Sequence, residues 1–230
     1  MFSAETYQNR RKNLRNEVSN GVILLLGNIE NPINFEHNTY PFRQDSSYLY
    51  YFGIKAPNIA AIIDIDEQRE IIFGDELDTD ALVWMGRQET LKEKSLKSGV
   101  TETLPFKDLE SYLQKAKFNN RTIHFLPPYQ SFNKILLSRL LDRHLDELLP
   151  SEKLIKAVVN QRSIKEAQEI EQIESALKVS TDMHLLAMQV AKPGMKEYEI
   201  VNAIQKFAAD QNFRFAYPPI VTVHGEILHN

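Results

Sequence analysis

Ile59-Ala60-Ala61-Ile62-Ile63-Asp64-Ile65-Asp66-Glu67-Gln68-Arg69-Glu70-Ile71-Ile72-Phe73 sets two β-branched runs on either side of the polar stretch 66–69. Such a short polar link joins antiparallel strands and leaves no room for a helical crossover, so a β-hairpin is expected. Upstream, Val22-Ile23-Leu24-Leu25-Leu26 is a short apolar run between Gly21 and Gly27, the pattern of a buried strand, and Ala4–Val18 reads as an opening helix. Downstream, a helix is expected over Asp108–Lys117, a strand over Thr122–Leu126 and a helix over Ser131–Leu149. Strands interleaved with helices around a hairpin predict an α/β layer domain with a mixed sheet.

Pro150-Ser151 closes that unit, and Leu154–Val159 reads as an apolar connector. Ser163-Ile164-Lys165-Glu166 has the S-x-x-E form of a capping box, which predicts a long helix starting there. Its apolar positions Ile170, Ile173, Leu177, Leu185 and Val190 recur mostly at multiples of three and four, and Pro193-Gly194 ends it before a second amphipathic helix from about Lys196 to Asp210. Ile220-Val221-Thr222-Val223 reads as a strand and His224-Gly225-Glu226 as a turn. The expected organisation is a first domain over residues 1–155, a linker over 156–162 and a second, incomplete domain over 163–230. Two helices and a strand cannot enclose a core, so either the first domain or residues beyond Asn230 are expected to cover their apolar faces.

Composition narrows the function classes. The 230 residues carry a formal charge of −4 with Lys and Arg dispersed, which argues against a nucleic-acid partner, since phosphate neutralisation needs a concentrated basic face. Without cysteine there is no disulfide framework and no thiolate metal site, so any metal must be held by His, Asp or Glu. The polar, charged N-terminus has no apolar core of a signal peptide, and no apolar run reaches the roughly 18 residues of a membrane span. A cytoplasmic protein without a membrane partner is expected.

No H-x-x-x-H pair clamps a metal on one helix face, and no G-x-S-x-G, G-x-G-x-x-G or phosphate-binding loop occurs. His37, His124, His144 and His184 read as solvated or structurally bonded imidazoles. Asp64 and Asp66 share one strand face by the period-two rule and could present two ligands together, although acidic residues at a strand end are ordinary turn chemistry. Asp75, Glu76, Asp78 and Asp80 read as a helix N-terminus or a solvated loop.

The densest signal is Tyr40-Pro41-Phe42-Arg43-Gln44-Asp45-Ser46-Ser47-Tyr48-Leu49-Tyr50-Tyr51-Phe52-Gly53. By composition it is an aromatic packing segment around a polar turn. Its Y-P-F-R-Q-D-S-x-x-x-Y-F-G pattern resembles the N-terminal domain of the proline-specific aminopeptidases (aminopeptidase P, or Xaa-Pro aminopeptidase), in the creatinase and prolidase superfamily. Further segments match in the same order. They are Trp84-Met85-Gly86-Arg87, Arg162 through Lys165 to Glu169-Ile170, Lys192-Pro193-Gly194-Met195, and Tyr217-Pro218-Pro219-Ile220-Val221 through Leu228-His229-Asn230.

The resemblance implies a creatinase-like α/β N-terminal domain followed by the first part of a pita-bread α+β catalytic domain. It implies a peptidase that removes a residue preceding proline, acting on proline-containing peptides with two metal ions, usually Mn2+. Two divalent cations sharing a water lower its pKa and polarise the scissile carbonyl, and hard Asp, Glu and His ligands suit manganese. The family's metal ligands all follow the L-H-Y/N histidine, so no metal ligand is expected among these residues and the 230-residue chain alone is expected to be inactive. His229 matches the non-ligand active-site histidine, a catalytic role. Trp84 matches a residue that reaches into a neighbouring subunit's substrate pocket, which implies a homo-oligomer, dimer or tetramer; a sole tryptophan is otherwise a packing anchor. Arg162 resembles a residue near the domain junction. The alternatives are an Xaa-Pro dipeptidase (prolidase), a non-catalytic creatinase-like binding module, and creatinase itself.

Overall fold

The computed structural model describes residues 1–77 and 79–227. The chain divides into two compact units, Met1–Ile164 and Lys165–Asn230.

In the first unit, α1 (Ala4–Val18) begins at Ser3, whose Oγ accepts from Thr6 N at 3.3 Å, and stops at Ser19 in the left-handed region. β1 (Val22–Leu26) follows, then a small exposed hairpin of β2 (Pro32–Phe35) and β3 (Asn38–Thr39). α2 (Ser46–Phe52) leads into β4 (Ala60–Asp64) and β5 (Arg69–Phe73), the hairpin expected from the sequence. α3 (Thr79–Met85), α4 (Leu91–Lys97), β6 (Glu102–Leu104), α5 (Asp108–Phe118), β7 (Ile123–Phe125), α6 (Ser131–Leu141) and α7 (Glu152–Ser163) complete it.

The sheet order is β6-β5-β4-β1-β7. β4 runs antiparallel to both neighbours, with Leu24 opposite Ile62 and Ile62 opposite Ile71, whereas β1–β7 and β5–β6 are parallel pairs. Four strands therefore share one direction and end at the same edge of the sheet. Helices cover both faces, which explains why β4 is buried at every position and why its sequence is apolar without alternation. Ile23, Leu25, Ala61, Ile63 and Ile72 face a core with Leu14 and Val18 of α1, the aromatics of α2, and Leu154, Ala157 and Val158 of α7. Val22, Leu24, Ile62, Ile71 and Phe73 face Leu109 and Leu113 of α5 and Leu136, Leu137 and Leu140 of α6. The expected α/β class with a mixed sheet is the one observed.

Several boundaries differ from expectation. The helix expected to Leu149 ends at Leu141, because Asp142 turns left-handed at φ 49° and a 3-10 turn at Leu145–Glu147 follows. The connector 154–159 and the linker 156–162 are not extended chain: both lie in α7, where Ser151 Oγ caps Leu154 N at 3.2 Å and the apolar spacing fits a helix face. The two compact units meet at Ile164 and Lys165. The N-cap of the long helix is Glu166, not Ser163. Ser163 Oγ donates back to Val159 O at 2.7 Å in the last turn of α7, and the capping box one step on, Glu166 with Glu169, starts the next helix.

In the second unit, α8 (Ala167–Val190) and α9 (Glu197–Asp210) form the expected helical hairpin around Pro193-Gly194. Ile204 and Ala208 of α9 are buried, while α8 has no buried residue. Residues 220–223 adopt no strand. A strand needs a hydrogen-bonding partner, and no strand occurs among the described residues of this unit.

Candidate functional site

Local chemistry between β1 and β4 sets the frame of the first unit. Gln44, 2% exposed, accepts from Asn28 N at 2.6 Å and Asp45 N at 2.9 Å through Oε1, and donates to Ala56 O at 2.7 Å through Nε2. Asp45 caps α2 by accepting from Ser47 N at 2.9 Å and Tyr48 N at 2.8 Å. α2 closes on Gly53 at φ 69°. The Tyr40–Gly53 segment thus acts through polar knots and buried rings, as its composition implied. Arg10 and Arg11, which the sequence did not single out, are buried under it. Arg10 stacks 3.9 Å from the Tyr50 ring centroid, and Arg11 donates to Glu70 Oε2 and to Tyr51 O, each at 2.8 Å. The signal for them was a pair of arginines on the face of α1 that also carries Leu14 and Val18.

Trp84 lies on α3 and is 88% exposed, beside Val83, Leu82 and Met85, which are also exposed. Its ring is not packed within the first unit. Gly86 ends the helix at φ 68°, and Arg87 behind it reaches Glu93 at 3.9 Å. Four consecutive apolar residues of this short helix, Leu82 to Met85, are thus left exposed. The other half of the expected site, His229, lies outside the described residues, as does Asp78.

The remaining sequence candidates separate by environment. His124 is buried, with Nε2 donating to Asn20 O at 3.1 Å and Nδ1 accepting from Ser151 Oγ at 2.7 Å. Burial holds its pKa below the ordinary imidazole value, with Lys153 adding to the effect. His37 packs edge-on to Phe35, His144 caps the 3-10 turn, and His184 donates to Ser180 O at 2.7 Å. His224 faces Glu226 at 3.1 Å on the surface.

Asp64 and Asp66 do converge, but on Arg121, which binds both together with Glu67. Asp64, fully buried, also accepts from Tyr112 Oη at 2.6 Å and Glu67 N at 2.8 Å, so its oxygens are spent on the fold. Hydrogen bonds from Gly21 N and Arg121 lower the Asp66 pKa. Asp75 accepts from Phe106 N at 3.0 Å, and Glu76 from Leu91 N at 2.9 Å. Arg162, in the last turn of α7, lies over the Tyr50 ring at 5.6 Å and donates to Ser47 Oγ at 3.4 Å. Among the described residues no group of three or more His, Asp or Glu could hold a metal ion.

Residues 7–124 match the family model of the aminopeptidase P N-terminal domain. The chain is 29% identical over 203 residues to the Xaa-Pro aminopeptidase of Haemophilus influenzae, covering 87% of this chain and 46% of that protein. It is 22% identical over 234 residues to the Xaa-Pro aminopeptidase of Escherichia coli, covering 97% and 53%. It spans about half the length of these curated relatives. Among solved structures, the low-pH form of E. coli aminopeptidase P superposes with a TM-score of 0.75 at 22% identity, covering 92% of this chain and 50% of that one. A zinc-substituted E. coli aminopeptidase P in complex with product gives 0.74 at 21% identity, covering 91% and 50%.

Proposed function

Because this chain belongs to the aminopeptidase P family, whose N-terminal domain it matches over residues 7–124, we propose that it serves a metal-dependent Xaa-Pro aminopeptidase, the enzyme that releases an N-terminal residue preceding proline. The family match carries the reading, and the Xaa-Pro aminopeptidases among its relatives support it. In this reading residues 165–230 open the pita-bread catalytic domain. The metal centre, with manganese as its resident ion, is built by the part of the relatives that this chain does not span. The 230-residue chain alone is inactive.

Two residues of this chain then serve the reaction. His229 offers an imidazole to the charge that develops on the scissile carbonyl, where a positioned hydrogen-bond donor has its largest effect. Trp84 walls the substrate pocket of a neighbouring copy in a dimer or tetramer. Its 88% exposure supports that role, because a large ring left in water by its own chain is available to another. The cytoplasm is the proposed location.

The test reads the gene past the Asn230 codon: a stop codon there would overturn the reading, and where the frame continues both the longer product and the 230-residue chain are expressed. With Mn2+, the longer product should release the first residue from an Xaa-Pro-Yaa tripeptide and lose that activity to a chelator, while the 230-residue chain releases nothing. Failure of the longer product on the tripeptide with Mn2+, Zn2+ or Co2+ would overturn the reading; cleavage of Xaa-Pro dipeptides alone would move it to a dipeptidase.

A further inference from the structure

Three of the four parallel strands of the first unit, β1, β5 and β6, end at a cavity of about 490 Å3. In open α/β sheets, ligands sit in the crevice outside the carboxyl ends of the strands, where the chain winds to either side. Here the winding reverses at β1, which sends the chain first toward β4 and later toward β7. Leu26 and Gly27, which end β1 and follow it, lie in the cavity wall, as do Asp75 and Glu76 after β5 and Phe106 after β6.

The lining has the composition of a small-molecule site: apolar walls with a few polar groups. Leu26, Leu91, Phe106 and Leu136 supply the apolar surface. Asn133, on the first turn of α6, is 6% exposed and stands in the wall. Its Nδ2 donates to Gly27 O at 3.2 Å and faces Asn28 Oδ1 at 3.5 Å, while its Oδ1 is buried and has no partner. Turning the amide over would set Oδ1 against those two acceptors, so the orientation is fixed by chemistry. A buried acceptor left unpaired forfeits its hydration without gaining a partner, a cost relieved when a donor arrives.

The charges at the cavity share that polarity. Asp75, Glu76 and Glu89 line it against the single cation Lys94. Asp75 and Glu76 each accept a backbone N–H, from Phe106 and Leu91, which holds them in place without neutralising them. Glu89 pairs with Lys97. Acceptors and negative charge therefore dominate over an apolar body. From this we propose that the carboxyl-edge cavity binds a small apolar amine, a compact hydrophobic group bearing a protonated nitrogen. The nitrogen meets the carboxylates and, once the buried Asn133 amide turns toward the cavity, its unpaired Oδ1, and the hydrophobic group fills the space between Leu91, Phe106 and Leu136. This site stands apart from the peptidase reading and survives its failure.

The test uses the 230-residue chain and two probes of matched shape, phenethylamine and 3-phenylpropionate, followed by 1H–15N NMR. Phenethylamine should give saturable shifts at the Gly27 and Phe106 amides and the Asn133 side chain, with millimolar affinity as its size allows. The carboxylate should bind at least tenfold more weakly. Glu89→Gln, which removes one lining charge at nearly constant side-chain shape, should weaken the amine about three- to fivefold. Asn133→Leu should weaken it further while the spectrum stays dispersed. No saturable shift at these groups in the unsubstituted chain, or equal binding of the two probes, overturns the proposal.

Discussion

Gly53 shows how a single backbone angle ties two helices together. At φ 69° it ends α2, and a methyl group there would sit 2.2 Å from Tyr7 Oη on α1. Gly53→Ala combines left-handed strain with a buried clash, and should lower the unfolding free energy in urea by about 2 kcal/mol or more. His124 makes a prediction of a different kind. Both ring nitrogens are spoken for, Nε2 as donor and Nδ1 as acceptor, so protonation would turn Nδ1 toward a hydroxyl that already caps Leu154. Its folded pKa lies below the ordinary 6.5, burial being the main cause, so the unfolded chain binds the proton first as pH falls. Stability is therefore complete above pH 6.5 and is lost as pH drops below that value toward the lower folded pKa. Urea midpoints between pH 7.5 and 5 should fall in the wild-type chain, and His124→Gln should flatten the decline. Histidine 124 was legible as a structural imidazole; its partners were not, because Asn20 and Ser151 are distant in sequence and meet it only across the sheet edge.

At the level of elements, α3 departs furthest from what a folded chain does with apolar residues. Leu82, Val83, Trp84 and Met85 lie together in water. Truncating Trp84 to Ala should change the folding stability by less than about 0.5 kcal/mol, as at other surface positions. In the complete enzyme the same change should weaken self-association and peptidase activity, read by sedimentation and by tripeptide hydrolysis. Unchanged stability with unchanged association would remove the contact role. α7 teaches the complementary lesson. Its Leu154, Ala157 and Val158 had helical spacing in plain view, yet Pro150-Ser151 looked like the end of a unit, whereas Ser151 is the cap that starts a helix covering α1 and the sheet. Ser163 with Glu166 was the capping box the sequence offered, whereas the helix starts at Glu166 with Glu169, because α7 runs on through Ser163.

The whole molecule holds its two cores in residues 14–158, all within the first unit. Residues 1–164 expressed alone should therefore melt cooperatively, with a midpoint within a few degrees of that of the 230-residue chain. In hydrogen exchange on the 230-residue chain, α8 should exchange far faster than β4, because none of its side chains is buried. Slow exchange across α8, or loss of cooperative melting in residues 1–164, would show that the units depend on each other for folding. The sequence alone determined the α/β class, the central hairpin, the helical hairpin of the second unit and the family, because these rest on local periodicity, turn chemistry and ordered motifs carried by neighbouring residues. Tertiary structure alone decided that Trp84 stands in water, that Asp64 and Asp66 are consumed by Arg121, that α7 belongs to the first unit, and that a cavity lined by Asn133 opens where β1, β5 and β6 end. Each of those depends on which distant segments come together, and burial and hydrogen-bond satisfaction are properties of that assembly, not of any stretch of chain.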